Sequence, residues 1–358
     1  MRILKGLVLF VGWLITIGTI AHAETIKIGH MPVANQADII ADEKGFFKKN
    51  GLDVELKLFQ TGPSALQGLL SGDLQAVEAG GNSMINLASQ GVSVYFLVSG
   101  GMNTPQHPAG SIFVRSGETT IKSFSDLKGK KLGTLPKGTI TNLWISNAVA
   151  KAGIERSALT EVPVPFPQMG GLLASGQVDA IYTWPPFDTM TEQAGQGKRL
   201  VNDTEWNPYA VLNALIVRRD WADKNPDDVR KLVKSMIEAH RWIDDNVDEA
   251  RAILGRRLKL SESVYKNMRM FYFPRNGYQV MPSIWDYYYL MLKAKELQPI
   301  ADPKAIFEKY WYEPAKKFID PVIAEIGRQP DPVVDSLYKI KLQNLSGPIS
   351  DYLGPWER

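Results

Sequence analysis

Hydrophobic and polar positions alternate from Glu24 to His30 (ETIKIGH), the period of a strand with one buried face. From Ala37 to Lys49 the apolar residues shift to helical spacing, and Asn50-Gly51 predicts the stop. Leu52 to Phe59 alternates again. Thr61-Gly62-Pro63-Ser64 then opens a helix from Ala65 to Leu70, which ends at Ser71-Gly72. A short extended piece, Gln75 to Glu78, precedes Gly80-Gly81-Asn82-Ser83 and a helix from Met84 to Gln90. Val92 to Ser99 is an unbroken apolar run, as expected of a strand covered on both faces. This βαβαβαβ order within about 75 residues predicts a parallel sheet with right-handed crossovers.

The same grammar restarts after Ser111 to Arg115. A short helix and turn lie at Ser125 to Lys130, and a strand at Lys131 to Leu135. A helix from Thr139 to Ala152 ends at Gly153. An extended Leu159 to Val164 leads to a helix from Gln168 to Ser175. The strand Val178 to Trp184 breaks at Pro185-Pro186, Val211 to Arg218 is apolar and extended, and helices dominate from Pro226. One α/β unit inserted between two parts of another gives two lobes. Ser111–Arg115 and Leu212–Arg218 are the expected connecting strands of a hinge that lets the lobes close. Two independent tandem domains are the alternative. The expected segments are a first lobe over 24–113 and 212–300, a second lobe over 114–211, and a helical extension over 301–358.

The first 23 residues read differently. Arg2 and Lys5 precede an apolar stretch from Leu7 to Ile20, and Ala21-His22-Ala23 follows. This is the layout of a secretory signal peptide cut after Ala23. The apolar run of 14 residues is shorter than the roughly 20 a membrane anchor needs. The expected location is therefore a periplasm, as a soluble monomer. The 358 residues, 44% of them hydrophobic, allow two sizeable cores and exclude wholesale disorder. Lys and Arg number 41 against 38 Asp and Glu; without Arg2 and Lys5 the balance is 39 to 38. That near-neutrality argues against nucleic acid as a partner. The absence of cysteine excludes disulfides, thiolate metal sites, thiol nucleophiles and a lipidated N-terminal cysteine.

The sequence carries no phosphate loop, dinucleotide fingerprint, zincin motif or nucleophile elbow. The four histidines have no metal-ligand spacing. No catalytic residue, metal site or cofactor is therefore expected. What recurs is a strand ending in a small-residue turn that opens a helix. It occurs at Met31 to Gln36 (with Asn35), at Thr61-Gly62-Pro63-Ser64, at Gly80-Gly81-Asn82-Ser83 and at Pro136-Lys137-Gly138-Thr139. In a parallel sheet such turns gather at the carboxyl edge, where ligands bind. Glycine lets a ligand approach the backbone, Ser, Thr and Asn offer donors, and the bare amides of the first helical turn favour an anion. Each turn alone is explained by plain N-capping; four together, in both units, point to a cleft. Trp184, ending its strand before Pro185-Pro186-Phe187, either covers an organic ligand or packs at the hinge. Trp285 to Tyr289 and Tyr310 to Tyr312 are read as helix-packing clusters, with a partner-facing patch as the other option.

The runs Ile26-Lys27-Ile28-Gly29 and Glu43-Lys44-Gly45-Phe46-Phe47-Lys48-Lys49-Asn50-Gly51-Leu52-Asp53-Val54-Glu55 carry a further signal. So do Asp126-Leu127-Lys128-Gly129-Lys130-Lys131, Gly176-Gln177-Val178-Asp179-Ala180 and Trp184-Pro185-Pro186-Phe187. Over residues 24–250 the chain resembles the substrate-binding proteins of ABC importers for nitrate, sulfonates, taurine and thiamine precursors. The resemblance implies a type II periplasmic binding fold. It also implies a small-molecule ligand, a sulfonate, nitrate or related anion, delivered to a membrane permease and its ATPase. By position in the family pattern, the contacts fall at Asn35, Gln36, Thr61, Gly62, Gly81, Asn82, Ser83, Gly138, Thr139 and Trp184. The chain departs from the pattern at Gln75, where an acid is common, and in its longer second half. Two other functions stay open at this point: an enzyme on the same fold, with His30, His107 or Asp188 as its base, and a ligand-presenting subunit of a receptor.

Overall fold

A computed structural model describes residues 25–34 and 36–337. Asn35, the leader with its cut after Ala23, and residues 338–358 of the extension lie outside the described residues.

The alternation at the start of the chain becomes a strand, Ile26–His30, with Ile26 and Ile28 buried and Lys27 exposed. It lies between Val54–Leu58 and Ala76–Gly80, parallel to both. The expected helix over 37–49 is two pieces, Ala37–Glu43 and Phe46–Lys49, because Gly45 turns the backbone to φ +71° between them. The first sheet is not purely parallel. Asn213–Arg218 returns from the second lobe and inserts, antiparallel, between Ala76–Gly80 and Val94–Ser99. The second sheet repeats this arrangement. Its order is Gly197–Asn202, Ser111–Arg115, Ala180–Thr183, Lys131–Thr134 and Thr160–Pro163, with Ser111–Arg115 antiparallel to both neighbours.

The fold is α/β, with two mixed sheets of five strands each, covered by helices. Ser111–Arg115 lies wholly inside the second sheet and Asn213–Arg218 wholly inside the first. The connection itself is a short ribbon in which Met102–Asn103 pairs antiparallel with Ala210–Val211. Leu212 N donates to Gly101 O at 2.7 Å, and Met102 N donates to Tyr272 O at 2.7 Å, so a third segment lies against the ribbon. Asn103 fixes the second-lobe end: its Nδ2 donates to Asn207 O (2.8 Å) and its Oδ1 accepts from Ala109 N (2.8 Å).

Val94–Ser99 is buried throughout, as its unbroken apolar run predicts, although it is the last strand of its sheet. Part of its cover is the helical segment after Pro303. Phe96 packs on Trp311 with ring centroids 4.6 Å apart, Tyr95 meets Phe318 edge-on at 5.4 Å, and Tyr310 Oη donates to Val92 O at 2.8 Å. Trp285, Phe307 and Trp311 form a stack within this cover. The two aromatic clusters therefore pack helices, their cores being buried. The longest helix, Pro226–Asp245, buries Val229, Leu232, Val233, Met236, Ile237, His240 and Ile243 at three- and four-residue spacing and lies across Ala37–Glu43.

Candidate functional site

The recurring turns do gather at one place. Thr61 caps the helix Gly62–Ser71, Gly80 precedes Gly81–Ser89, and Thr139 precedes Ile140–Lys151. The first two helices belong to one lobe and the third to the other. Between the lobes lies a cleft. Thr61, Gly62, Asn82, Ser83, Thr139 and Trp184 line it. The lobes also touch across it: Asn82 Nδ2 donates to Gly138 O at 2.8 Å, and Ala34 N donates to Pro185 O at 3.3 Å. The Pro185-Pro186 peptide, next to Trp184, is cis.

The other expected residues sit near the cleft without lining it. Gln36 is buried, and its Oε1 accepts from Met31 N at 3.1 Å, which shapes the turn that presents Met31, Pro32 and Val33. Gly138 adopts φ +84°, a left-handed conformation that favours glycine, and offers its carbonyl to Asn82. Gly81 is a packing glycine. A Cβ there would lie 2.3 Å from Cε2 of Tyr287, whose hydroxyl donates to Val211 O at 2.6 Å. Gly81→Ala is expected to lose about 1–3 kcal/mol in denaturant unfolding, as overpacked cores do. An unchanged midpoint would show that the ring moves aside freely.

The side-chain donors expected of these turns are mostly engaged within the protein. Thr139 Oγ1 donates to Pro136 O (2.8 Å), so in its 3.0 Å contact with Thr141 Oγ1 it accepts. Thr61 Oγ1 donates to Ser64 Oγ at 3.1 Å and accepts from Ser64 N at 3.3 Å. The helices Gly81–Ser89 and Ile140–Lys151 carry no side-chain cap, so their first-turn amides remain as donors at the cleft.

The sequence reading missed the apolar half of the lining. Leu135, Ile140, Phe166, Pro167, Phe187 and Leu212 contribute, beside Met31, Pro32 and Val33 of the first expected turn. The rings of Phe166 and Trp184 are near parallel at 6.1 Å, and those of Phe166 and Phe187 at 5.8 Å. Phe166 opens its helix immediately after the strand Thr160–Pro163, the same strand–turn–helix grammar as the other turns. The absence of Gly, Ser, Thr or Asn there hid it.

None of the three candidate bases lines the cleft. His30 lies behind the wall with Nδ1 3.6 Å from Asp38 Oδ2. Burial raises the pKa of Asp38, the charge of His30 opposing it; burial raises Glu78 well above the carboxylate range, with the Asp38 charge adding. Glu78 accepts from Nδ2 of Asn213, whose residue does line the cleft. Asp188 is fully buried under Arg269, with Nη2–Oδ2 2.6 Å and Nε–Oδ2 3.1 Å. His107 faces a separate cavity beside Asp244 and Phe273, and burial lowers its pKa. No cluster of His, Cys, Asp or Glu suited to a metal exists among the described residues.

The sequence profile of the NMT1-like family matches residues 21–257, which include every described residue lining the cleft. The Taurine-binding periplasmic protein of Escherichia coli (strain K12) is 26% identical over 224 residues, 61% of this chain and 66% of that protein. The chain spans about 60% of the length of the first curated relatives it matches. Among solved structures, the periplasmic nitrate-binding protein NrtA from Synechocystis PCC 6803 superposes with a TM-score of 0.72 at 20% identity, over 85% of this chain and 89% of that one. The desulfurization enzyme DSZB has the same fold, with a TM-score of 0.61 at 17% identity over 84% and 99% of the two chains. The type II periplasmic binding fold is thus shared by binders and at least one enzyme.

Proposed function

This chain belongs to the NMT1-like family, and from that premise we propose that it is the periplasmic solute-binding component of an ABC importer. It captures a small solute between two closing lobes and passes it, as a monomer, to a permease and its ATPase. The observation that carries this reading is the cleft itself: its wall is drawn from both lobes, and the two segments that cross between the sheets pair with each other in the short ribbon of Met102–Asn103 with Ala210–Val211. Closure around such a ribbon encloses a solute, and a solute that favours the closed state shifts the population toward it. The names of relatives, taurine-binding and bicarbonate-binding, support the same class.

In this reading the ligand's acceptor group rests on the uncapped amides at Gly81–Ser83 and Ile140–Thr141. Asn82, Ser83, Thr61, Gly62, Thr139 and Trp184 form the contact surface, and Gln36, Gly81 and Gly138 shape it. In this reading the solute is released unchanged; among the described residues the lining has no titratable side chain placed to act as a base.

Thermal-shift screening of taurine, nitrate, sulfonates, carboxylates and pyrimidines, followed by X-ray scattering with the best binder, tests this. The expected result is saturable binding, a smaller radius of gyration, and quantitative recovery of the solute. Asn82→Ala combined with Thr139→Ala is expected to weaken binding at least tenfold with little loss of fold. Consumption of more than one equivalent of solute would replace the transport reading with an enzymatic one.

A further inference from the structure

One stretch of the first lobe crosses to the second lobe and comes back. The helix Val247–Arg257 is fixed to the first lobe: Arg257 Nη1 donates to Asp42 Oδ2 at 2.7 Å, and Lys44 Nζ donates to Glu249 Oε1 at 2.9 Å. The next helix, Glu262–Asn267, lies against the second-lobe helix Phe187–Gln193, and Gln193 Nε2 donates to Ser263 O at 2.7 Å. Arg269 follows. Its guanidinium donates to Asp188 of that second-lobe helix, to Asn202 of the strand Gly197–Asn202 and to Ser111 of the strand Ser111–Arg115. The ring of Phe271 then meets Trp184 with centroids 6.3 Å apart. At Tyr272 the chain is back beside the ribbon, and Gly277 O accepts from Ser99 N at 2.9 Å on the first lobe.

The two sides of this strap are held unequally. On the second-lobe side Asp188 is fully enclosed, and one planar fork of donors spans three elements at once. On the first-lobe side Tyr265 packs on Gly255, where a Cβ would lie 2.5 Å from Cδ1 of the ring, and Arg251 Nε donates to Met268 O at 3.0 Å. Beyond these contacts a cavity separates the strap from the first lobe, with Ile243, Val247 and Arg251 on one wall and Met270 and Phe273 on the other. Detaching a buried, multiply bonded charge is costly, whereas packed helix faces slide in small steps over an adjoining space.

We propose that residues 258–272 are a tether that travels with the second lobe and limits how far the lobes part, with Arg269 as its anchor. The lobes are then joined by the ribbon and by both ends of this strap. Opening stops where the slack on the first-lobe side runs out. This goes beyond the solute-binding reading and is tested without any solute.

The test is double electron–electron resonance on the full mature chain. The chain has no cysteine, so Lys48→Cys and Lys122→Cys, both at exposed positions, place one spin label on each lobe without background. Adding Asp188→Asn with Arg269→Ala is expected to lengthen the mean distance between the lobes and roughly double the width of its distribution. Urea unfolding alongside separates a wider swing from a damaged fold. Arg269→Lys keeps a charge beside Asp188 but cannot reach all three partners, and should widen the distribution less, in the same direction. Distributions that match the parent in both variants overturn the inference and leave the solute-binding reading untouched. A second pair, Lys266→Cys with Lys122→Cys, shows which lobe the strap follows. Its distribution should stay narrower than that of the Lys48 pair; an equal spread overturns the inference as well.

Discussion

Arg269→Ala should destabilise the protein by about 3–5 kcal/mol, the cost of stripping a buried carboxylate of its partner. Asp188 is completely enclosed at the start of the second-lobe helix Phe187–Gln193. Arg269, from the segment after the helix Glu262–Asn267, grips its Oδ2 through Nε and Nη2 and reaches Asn202 Oδ1 (3.0 Å) and Ser111 Oγ (3.1 Å). Arg199 is the nearest substitute, with Nη2 3.6 Å from the same oxygen, but it also serves Glu192. Urea unfolding reads the loss. Adding Asp188→Asn to the Arg269→Ala protein should restore most of it, since a neutral amide tolerates the vacated site. A loss under about 1 kcal/mol would show that Arg199 alone satisfies the carboxylate.

The second large effect is a pH dependence. Burial pushes Asp203 up to about 7, against the opposing hydrogen bond from Tyr182 (Oη–Oδ2 2.8 Å) and the charge of Arg269. The residue sits where the chain leaves the second sheet, its amide bonded to Gly110 O at 3.0 Å. Its folded pKa lies above the unfolded value, so its contribution is intact below about pH 4. It declines as the pH rises, and the loss is complete above about pH 7. The difference corresponds to about 4 kcal/mol. Asp38 and Glu78, also raised by burial, act in the same direction, so the parent's own profile mixes several groups. His240, lowered to about 4 by burial, acts oppositely: its stability is present above its ordinary pKa and lost as the pH falls. The comparison with Asp203→Asn isolates one group. That variant should gain little at pH 3.5, between about 1 and 2 kcal/mol at pH 5, and about 4 kcal/mol at pH 8. A gain independent of pH would place the proton elsewhere.

The strand–turn–helix grammar was legible because it is local. Glycine, Ser, Thr and Asn at the end of an apolar run mark where a strand stops, and a shared sheet edge brings those stops together. Of the nine site residues lying in those turns, Thr61, Gly62, Asn82, Ser83 and Thr139 line the cleft, as does Trp184, which was read separately. Phe166 and Phe187 were not legible, because an aromatic residue at a helix opening looks the same whether it packs inward or faces a cleft. The ribbon was misplaced for a similar reason: Ser111–Arg115 is long and apolar, whereas Met102–Asn103 is two residues with no periodicity to read. The link between Arg269 and Asp188 joins positions 81 apart, and no short-range pattern carries such a pair. The bond from Asn82 to Gly138 was equally hidden, since it depends on how the lobes meet.

The insertion of Asn213–Arg218 between Ala76–Gly80 and Val94–Ser99 has a consequence for the order of assembly. Neighbouring strands in the first half of the chain are held apart until a segment more than a hundred residues downstream has arrived. The inserted unit is continuous and acquires all five of its strands earlier during synthesis. The half that emerges first thus matures last, and a nascent chain halted before residue 213 carries two raw β edges seeking a mate.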